Sequence, residues 1–474
     1  MSLNSFLFLL AFLPIVVIGA HVLRDRWSPR AAQLLILGAS LAFFASDRLA
    51  YLPLLVLSVA FNWGVSRQMA SPGITPRSRK ALFITGLVAN VAFLCVFKYA
   101  NAVAVGIGLV TGRAIPLPNW EFPLGISFFT ITQVMYLVDC YEKLVPANSL
   151  LDHATFVSFF PNITAGPLVR AKLFAGQLGK IGGQLDRDDR LVRGLMLLAI
   201  GLFKKVVLAD SFARIANAGY ANVGSLSTLE TWLTALAYTF QMYFDFSGYS
   251  DMAFGAARLS GIELVRNFNA PYRAVNISDF WQRWHISLST FITTYLYTPI
   301  ARSMGRVTVH TSALATLIAM TIAGLWHGAS WTFLLFYAMH GFALAAYQYW
   351  KRSKRKLPRP LAMVLTFAFV NLCFVVFRAP DVMTALHVAR GLLPSANLLG
   401  FSNLADALTG TDSALVVLPI IIGSIAAFAG PTSDEFAAGF RPSRRFALGT
   451  SALVLAAFVF MIAGSGSGFI YRAF

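Results

Sequence analysis

Charged residues are scarce in this sequence, and carboxylates are the scarcer kind. Asp, Glu, Lys and Arg make up 12% of the 474 residues, whereas a soluble globular domain carries about a quarter. Acidic residues number 20 against 38 Lys and Arg, which gives a formal net charge of +18. Hydrophobic residues reach 57%, and the mean hydropathy is +0.67. This composition excludes an ordinary soluble protein and predicts an all-α polytopic membrane protein.

Cysteine is also rare, and several chemical motifs are missing. The three cysteines, Cys95, Cys140 and Cys373, each stand alone in apolar surroundings, without Cys-x-x-Cys spacing or a neighbouring histidine at ligand spacing. We therefore expect no disulfide framework and no metal site. The chain lacks His-Glu-x-x-His, a Walker loop, Gly-x-Gly-x-x-Gly and Gly-x-Ser-x-Gly. A tightly bound cofactor and a serine nucleophile are therefore not expected.

The basic residues lie in short loops between long apolar runs. They do not form the basic stripe of a nucleic-acid-binding surface, so nucleic acid is not an expected partner. Lys and Arg accumulate in cytoplasmic loops and attract lipid headgroups. The apolar runs between these loops predict about eleven transmembrane helices plus re-entrant helices. Without a repeat or a long linker, we expect one membrane domain over residues 1–474, with a motif core at 240–345.

His327 is the most informative polar residue within the apolar runs. It falls near the middle of a predicted apolar hairpin between Arg306 and Lys351. An ionisable group inside a membrane is costly unless it faces protein or a water-filled cavity, so it is a functional hypothesis by default. The alternative is a packing histidine whose ring nitrogens bond backbone carbonyls between two helices.

Three sequence blocks occur in order along the motif core, and shorter blocks flank them. The core blocks are Tyr243-Phe244-Asp245-Phe246-Ser247-Gly248, Trp284-His285-Ile286-Ser287-Leu288-Ser289 and Trp326-His327-Gly328-Ala329. The flanking blocks are Pro123-Leu124-Gly125, Phe159-Phe160-Pro161, Ala165-Gly166-Pro167, Lys204-Lys205 and Phe469-Ile470-Tyr471. The combination resembles the membrane-bound O-acyltransferases, in the branch of bacterial alginate O-acetyltransferase and the D-alanyl transferase of teichoic acids.

The resemblance implies a fold, a reaction and a location. The fold is a ring of helices around a central tunnel in the bacterial inner (cytoplasmic) membrane. The reaction moves an acetyl group from a cytoplasmic thioester, acetyl-CoA or another acyl thioester, for O-acetylation of an exported polysaccharide such as alginate or cellulose. The acceptor is the extracytoplasmic polysaccharide or a periplasmic acetyltransferase partner. His327 matches the active-site histidine of the family, which implies the role of general base.

The remaining polar residues of the core have competing interpretations. His285 matches a second polar position of the family and is expected to bond the thioester carbonyl or to shape the tunnel; otherwise it anchors a helix at the interface. We interpret His340 as structural. Asp245 and Asp251 either orient His327 or form structural ion pairs with arginines such as Arg258 or Arg283; the ion pairs are favoured, because buried carboxylates are usually paired.

Two other functions are compatible with the same residues. Within the family, the alternative is transfer of D-alanine or another acyl group to a cell-envelope polymer, which only the donor distinguishes. From a different class, the alternative is a transporter with His327 as a proton relay. A transporter favours paired broken helices in two halves of the chain, and no such pair is evident.

Overall fold

Helices make up most of the computed structural model of the protein. The structure describes residues 1–118, 120–164, 166–183, 189–395, 397–401, 403–404, 408, 414–439, 443–464 and 468–470. The protein is 74% helical, and none of the described residues lies in a β-strand. This confirms the predicted all-α class. The motif residues Ala165 and Tyr471 lie outside the described residues.

The α-helices of the described residues range from 5 to 36 residues in length. The α-helices are Leu13–Arg26, Pro29–Ala45, Leu52–Met69, Pro76–Thr111, Ile126–Tyr141, Leu150–Ser158, Ala171–Ala175, Asp189–Phe203, Asp210–Ala221, Thr228–Leu259, Ile277–Trp281, Ile286–Phe291, Thr298–Ser303, Val309–His327, Trp331–Trp350, Arg359–Arg378, Val382–Gly391, Ala414–Phe428, Ser433–Ala438 and Arg444–Ile462. Wider π-helical turns occur at Phe8–Phe12, Lys204–Ala209 and Ile292–Tyr297.

Several helices are long and apolar enough to cross a membrane. Within the described part of the chain, five helices meet both conditions: Phe8–Arg26, Leu49–Met69, Pro76–Thr111, Val309–His327 and Arg359–Arg378. Four shorter apolar helices accompany them: Pro29–Ala45, Ile126–Tyr141, Val416–Phe428 and Phe446–Ile462. The protein is therefore a multi-pass membrane protein, while the number of eleven crossings stays a prediction.

The chain divides into two compact units. The first comprises chiefly Met1–Leu198 and Tyr249–Val265, and the second comprises Ala199–Gly248 and Arg266–Ile470. The helix Thr228–Leu259 contributes residues to both. The single domain over residues 1–474 stays a prediction.

Buried polar contacts and close backbone packing hold the first unit together. Asn62 and Asn90 exchange amide hydrogen bonds of 3.2 and 2.6 Å between two apolar helices, a contact that joins helices in a membrane. Gly125 has a φ of 66°, and a Cβ on it would lie 1.9 Å from the carbonyl oxygen of Ile163. Only glycine fits this close approach, so the Pro123-Leu124-Gly125 block has a structural explanation.

A helical hairpin organises the second unit. Its first arm, Val309–His327, is called the histidine helix here, and its second arm, Trp331–Trp350, is called the return helix. The side chains of Thr308 and Thr311 cap the start of the histidine helix reciprocally. The turn is made at Gly328, whose φ of 159° and ψ of 179° are in a region open essentially to glycine alone. The predicted hairpin is confirmed, and His327 lies at its tip.

Candidate functional site

His327 is the last residue of the histidine helix, and its side chain is buried at 2% exposure. Its Nδ1 lies 3.0 Å from the carbonyl oxygen of Ala323, one turn earlier in the helix. Its Nε2 lies 3.2 Å from the hydroxyl of Tyr337 on the return helix. Because a carbonyl only accepts, a neutral ring carries its proton on Nδ1 and accepts the Tyr337 hydroxyl at Nε2. The lone pair of Nε2 therefore points away from the helix, as a general base requires.

Aromatic side chains surround the His327 ring. The ring centroid of Trp326 lies 4.5 Å away, nearly perpendicular, and that of Tyr337 lies 4.7 Å away. Phe377 and Phe333 follow at 6.1 and 6.4 Å. Such a shell excludes water and strengthens the electrostatic interactions that the imidazole makes.

His285 lies in a strained turn before the short helix Ile286–Phe291. Its φ of 42° and ψ of 55° are left-handed, a conformation that non-glycine residues seldom adopt outside functional or tightly determined sites. The side chain is 1% exposed, and its ring lies 4.6 Å from that of Phe246. Burial, and secondarily the neighbouring His327, holds the pKa of His285 well below its usual range, so its imidazole is neutral at pH 7.

Asn267 holds the turn that carries His285. Its side-chain oxygen accepts hydrogen bonds from the backbone N–H and the hydroxyl of Ser287 at 3.3 and 2.9 Å. Its backbone carbonyl accepts from the N–H of Ile286 at 2.9 Å. These three bonds tether the two residues that directly follow His285 to Asn267, and so hold the backbone turn that carries the ring.

A second aromatic and imidazole pair lies beside Tyr337. The indole N–H of Trp281 donates to Nδ1 of His340 at 3.2 Å, and His340 is fully buried. The Trp281 ring lies 6.0 Å from that of Tyr337. His340 thus holds the Trp281 indole by a hydrogen bond, and its structural role stays a prediction.

Trp281 is one of the residues that line a cavity of about 540 Å³. Its walls include Ile286, Thr293, Met320 and Tyr347, and we call it the Trp281 cavity. Neither His327 nor Tyr337 lines it. The Trp281 ring contacts that of Tyr337, which in turn contacts that of His327, so two successive aromatic side chains link a wall of the cavity to the imidazole.

Asp245 lies in an ion pair, as predicted, but its partner differs from the arginines expected. Nζ of Lys205 lies 2.7 Å from Oδ1 of both Asp210 and Asp245, and all three side chains are at most 1% exposed. Oδ2 of Asp245 accepts the backbone N–H of Ile470 at 2.9 Å. The proposed arginine partners bond elsewhere: Arg258 pairs with Glu263, and Arg283 with Asp279.

Sequence reasoning missed Tyr337, the residue that faces the base. It lies ten positions beyond His327, across a turn, and neither helical periodicity nor a motif marks it. The available signal in the sequence was the small residue Gly324, which allows the two arms of the hairpin to approach closely. In the structure, Gly324 lies next to Cβ of Tyr337. Among the described residues, no group of three or more His, Cys, Asp or Glu is arranged to hold a metal ion.

Comparison with known proteins places this arrangement in a family. The sequence model of the membrane-bound O-acyltransferase family matches residues 82–379, more than half of the chain. A peptidoglycan O-acetyltransferase of Helicobacter pylori is 38% identical over 421 residues, covering 82% of this chain and 79% of that protein. The probable alginate O-acetylase of Pseudomonas aeruginosa is 35% identical over 428 residues, covering 89% and 80%.

A more distant relative is named for the transfer of a D-alanyl group. The teichoic acid D-alanyltransferase of Bacillus subtilis is 28% identical over 273 residues, covering 54% of this chain and 68% of that protein. The resemblance predicted from the sequence blocks is thereby confirmed. The chain belongs to the membrane-bound O-acyltransferase family and is a membrane O-acyltransferase.

Proposed function

We propose that the protein transfers an acetyl group from a cytoplasmic thioester, acetyl-CoA or another acyl thioester, for O-acetylation of an exported or envelope polysaccharide at the bacterial inner membrane. The acceptor is the polysaccharide itself or a periplasmic acetyltransferase partner that passes the group on. The proposal includes a ring of about eleven helices around a tunnel. The observation that carries it is the buried His327, whose Nε2 faces a hydroxyl group.

In the proposed mechanism, an acceptor hydroxyl replaces Tyr337 at Nε2 of His327. His327 takes the proton of the acceptor while its oxygen attacks the thioester carbonyl. The tetrahedral intermediate then collapses, the C–S bond breaks, and the thiolate leaving group receives the proton from the imidazolium. The backbone carbonyl of Ala323 holds the Nδ1 proton throughout. A neutral His285 donates an N–H to the carbonyl oxygen as charge develops there.

The names of the relatives favour a sugar hydroxyl as acceptor. Relatives named for acetylation of peptidoglycan and alginate cover most of this chain, whereas a teichoic acid D-alanyltransferase covers about half. D-alanyl transfer is the alternative within the family, and it requires a D-alanyl thioester in place of the acetyl donor.

The test is acetyl transfer by purified protein in nanodiscs. Protein, acetyl-labelled acetyl-CoA and either alginate oligosaccharides or peptidoglycan fragments are mixed, and label in glycan, protein and water is measured. His327→Ala is expected to lower the rate by about 10²- to 10⁴-fold, the usual contribution of a general base. The control is His310→Ala, because His310 is an exposed residue in the first turn of the same helix. Full activity of a folded His327→Ala protein rejects the role assigned to His327.

A further inference from the structure

The hydroxyl of Tyr337 lies at the position from which the proposed base takes a proton. It is 3.2 Å from Nε2 of His327, and the Tyr337 side chain is 3% exposed. Because the Nδ1 proton of His327 points to the carbonyl of Ala323, the Tyr337 hydroxyl donates its hydrogen to Nε2. The base of the resting protein is therefore already bonded to a hydroxyl group that belongs to the protein itself.

Packing on several sides holds this hydroxyl in place. The Tyr337 ring lies 4.7 Å from that of His327 and 6.0 Å from that of Trp281, and Trp281 is held by its hydrogen bond to His340. On the histidine helix, a Cβ on Gly324 would lie 3.1 Å from Cβ of Tyr337, so the two helices are in close contact there. A side chain packed on several faces keeps its rotamer, and the hydroxyl stays at Nε2 while nothing displaces it.

A hydrogen-bond partner at Nε2 has a chemical consequence, because a water molecule is its natural substitute. A buried acceptor atom without a partner costs about 1–3 kcal/mol, so water replaces a lost partner wherever it can enter. Water at a general base competes with a sugar hydroxyl as nucleophile. Its oxygen attacks the thioester carbonyl, one of its protons passes to Nε2, the C–S bond breaks, and the imidazolium protonates the thiolate. The products are acetic acid and a free thiol, and the acetyl group is lost.

We propose that Tyr337 makes acetyl transfer dependent on the acceptor, because its hydroxyl occupies Nε2 of His327 until an acceptor hydroxyl displaces it and so keeps water from the base. This inference rests on the proposed function and identifies a residue that selects a sugar hydroxyl over water. Displacement replaces one neutral hydrogen bond by another, so it costs little free energy. A polysaccharide draws binding energy from the rest of its chain to move the phenol aside, whereas a water molecule has no such source.

The test is release of free coenzyme A from acetyl-CoA by the purified protein in nanodiscs, with and without alginate oligosaccharides or peptidoglycan fragments. Tyr337→Phe keeps the ring and removes the hydroxyl. We expect this variant to release coenzyme A without acceptor about tenfold faster than the wild type, the change in rate that corresponds to one neutral hydrogen bond. The acceptor should therefore stimulate the variant less than the wild type.

A matched control exists at the other end of the same hairpin. The hydroxyl of Tyr349, also on the return helix, lies 2.8 Å from Nδ1 of His310 on the histidine helix. Tyr349→Phe removes a tyrosine–histidine hydrogen bond between the same two helices, about 18 Å along the return helix from Tyr337, and should leave coenzyme A release unchanged. The double variant Tyr337→Phe/His327→Ala should lose the added hydrolysis, because the water then has no base.

Three results overturn the inference. One is hydrolysis without acceptor that is equal in the wild type and in a Tyr337→Phe protein shown to be folded by its melting temperature, or raised alike in Tyr349→Phe. Another is a loss of both hydrolysis and transfer in the folded Tyr337→Phe protein, which would give the hydroxyl a part in the chemistry itself. The third is acetyl label on Tyr337 of the denatured wild-type protein, which would make the residue a covalent acetyl carrier.

The inference and the proposed function fail in different ways. Acetyl transfer to glycan by the wild type, together with unchanged hydrolysis by Tyr337→Phe, rejects the inference and leaves the proposed function intact. If neither protein turns over acetyl-CoA, the acetyl donor of the proposed function is rejected, and the same two proteins are compared with a D-alanyl thioester. Faster hydrolysis of that thioester by Tyr337→Phe still supports the inference, and equal hydrolysis rejects it.

Discussion

The two histidines of the site are held in place by different means. His327 ends a helix and is oriented by the carbonyl of Ala323 and the hydroxyl of Tyr337. His285 depends on a left-handed backbone that Asn267 secures through hydrogen bonds to the next two residues, Ile286 and Ser287. Both residues were predicted as site residues, because the sequence blocks that contain them resemble those of a family. The sequence did not predict the turn at His285, since the conformation follows from hydrogen bonds to a residue eighteen positions away.

Backbone strain at His285 leads to a prediction about two variants that both remove the imidazole. His285→Gly is expected to be more stable than His285→Ala by about 1 kcal/mol, because glycine adopts a φ of 42° without a Cβ clash. Thermal unfolding in detergent measures the difference, and both proteins should lose acetyl transfer. An alanine variant as stable as the glycine variant contradicts the strain.

At the scale of elements, the hairpin of the histidine and return helices was predictable and its interior was not. Basic residues at Arg306 and Lys351 bracket it, and the Trp-His-Gly block contains the residue that ends its first helix. The pairing of Tyr337 with His327 depends on how closely the two arms approach. A Cβ on Gly324 would lie 3.1 Å from Cβ of Tyr337 and 3.3 Å from the carbonyl oxygen of Phe333.

We expect Gly324→Ala to damage the hairpin. The added methyl group forces the arms apart, and overpacking of this kind costs about 1–3 kcal/mol, partly offset by the higher helix propensity of alanine. Melting temperature and acetyl transfer should both fall. The matched variant is Gly64→Ala in another membrane helix, where no atom outside the neighbouring backbone of that helix lies within 4 Å of the added Cβ; it should be neutral or stabilising. A similar response of both variants would show that close packing at Gly324 is unimportant.

At the scale of the whole molecule, composition predicted a helical multi-pass protein. It could not predict the polar contacts between residues that are far apart in the sequence. Lys205, Asp210 and Asp245 meet in the second unit, and Asp245 also holds the backbone of Ile470. From the sequence we expected arginine partners for Asp245, because buried carboxylates are usually paired. The true partner is forty residues earlier, and only the packed helices bring it close.

Removal of the Lys205 side chain should strongly lower the stability of the protein. Lys205→Met leaves two buried carboxylates without their cation, a change worth about 3–5 kcal/mol in comparable buried pairs. The neighbouring Lys204→Met is the control, since Lys204 is only partly buried and donates to the hydroxyl of Ser433 at 2.6 Å. Thermal unfolding of both proteins gives the comparison. Equal stability of the two variants would mean that the buried ion pairs contribute little.

The carbonyl that holds the proton on Nδ1 of His327 belongs to the same helix as the ring itself. One helical turn, from Ala323 to His327, therefore determines which nitrogen of the base is basic, whatever the surrounding helices do. When neighbouring segments move during a catalytic cycle, the group that faces Nε2 of His327 changes. The tautomer of the ring stays the same, because its own helix sets it.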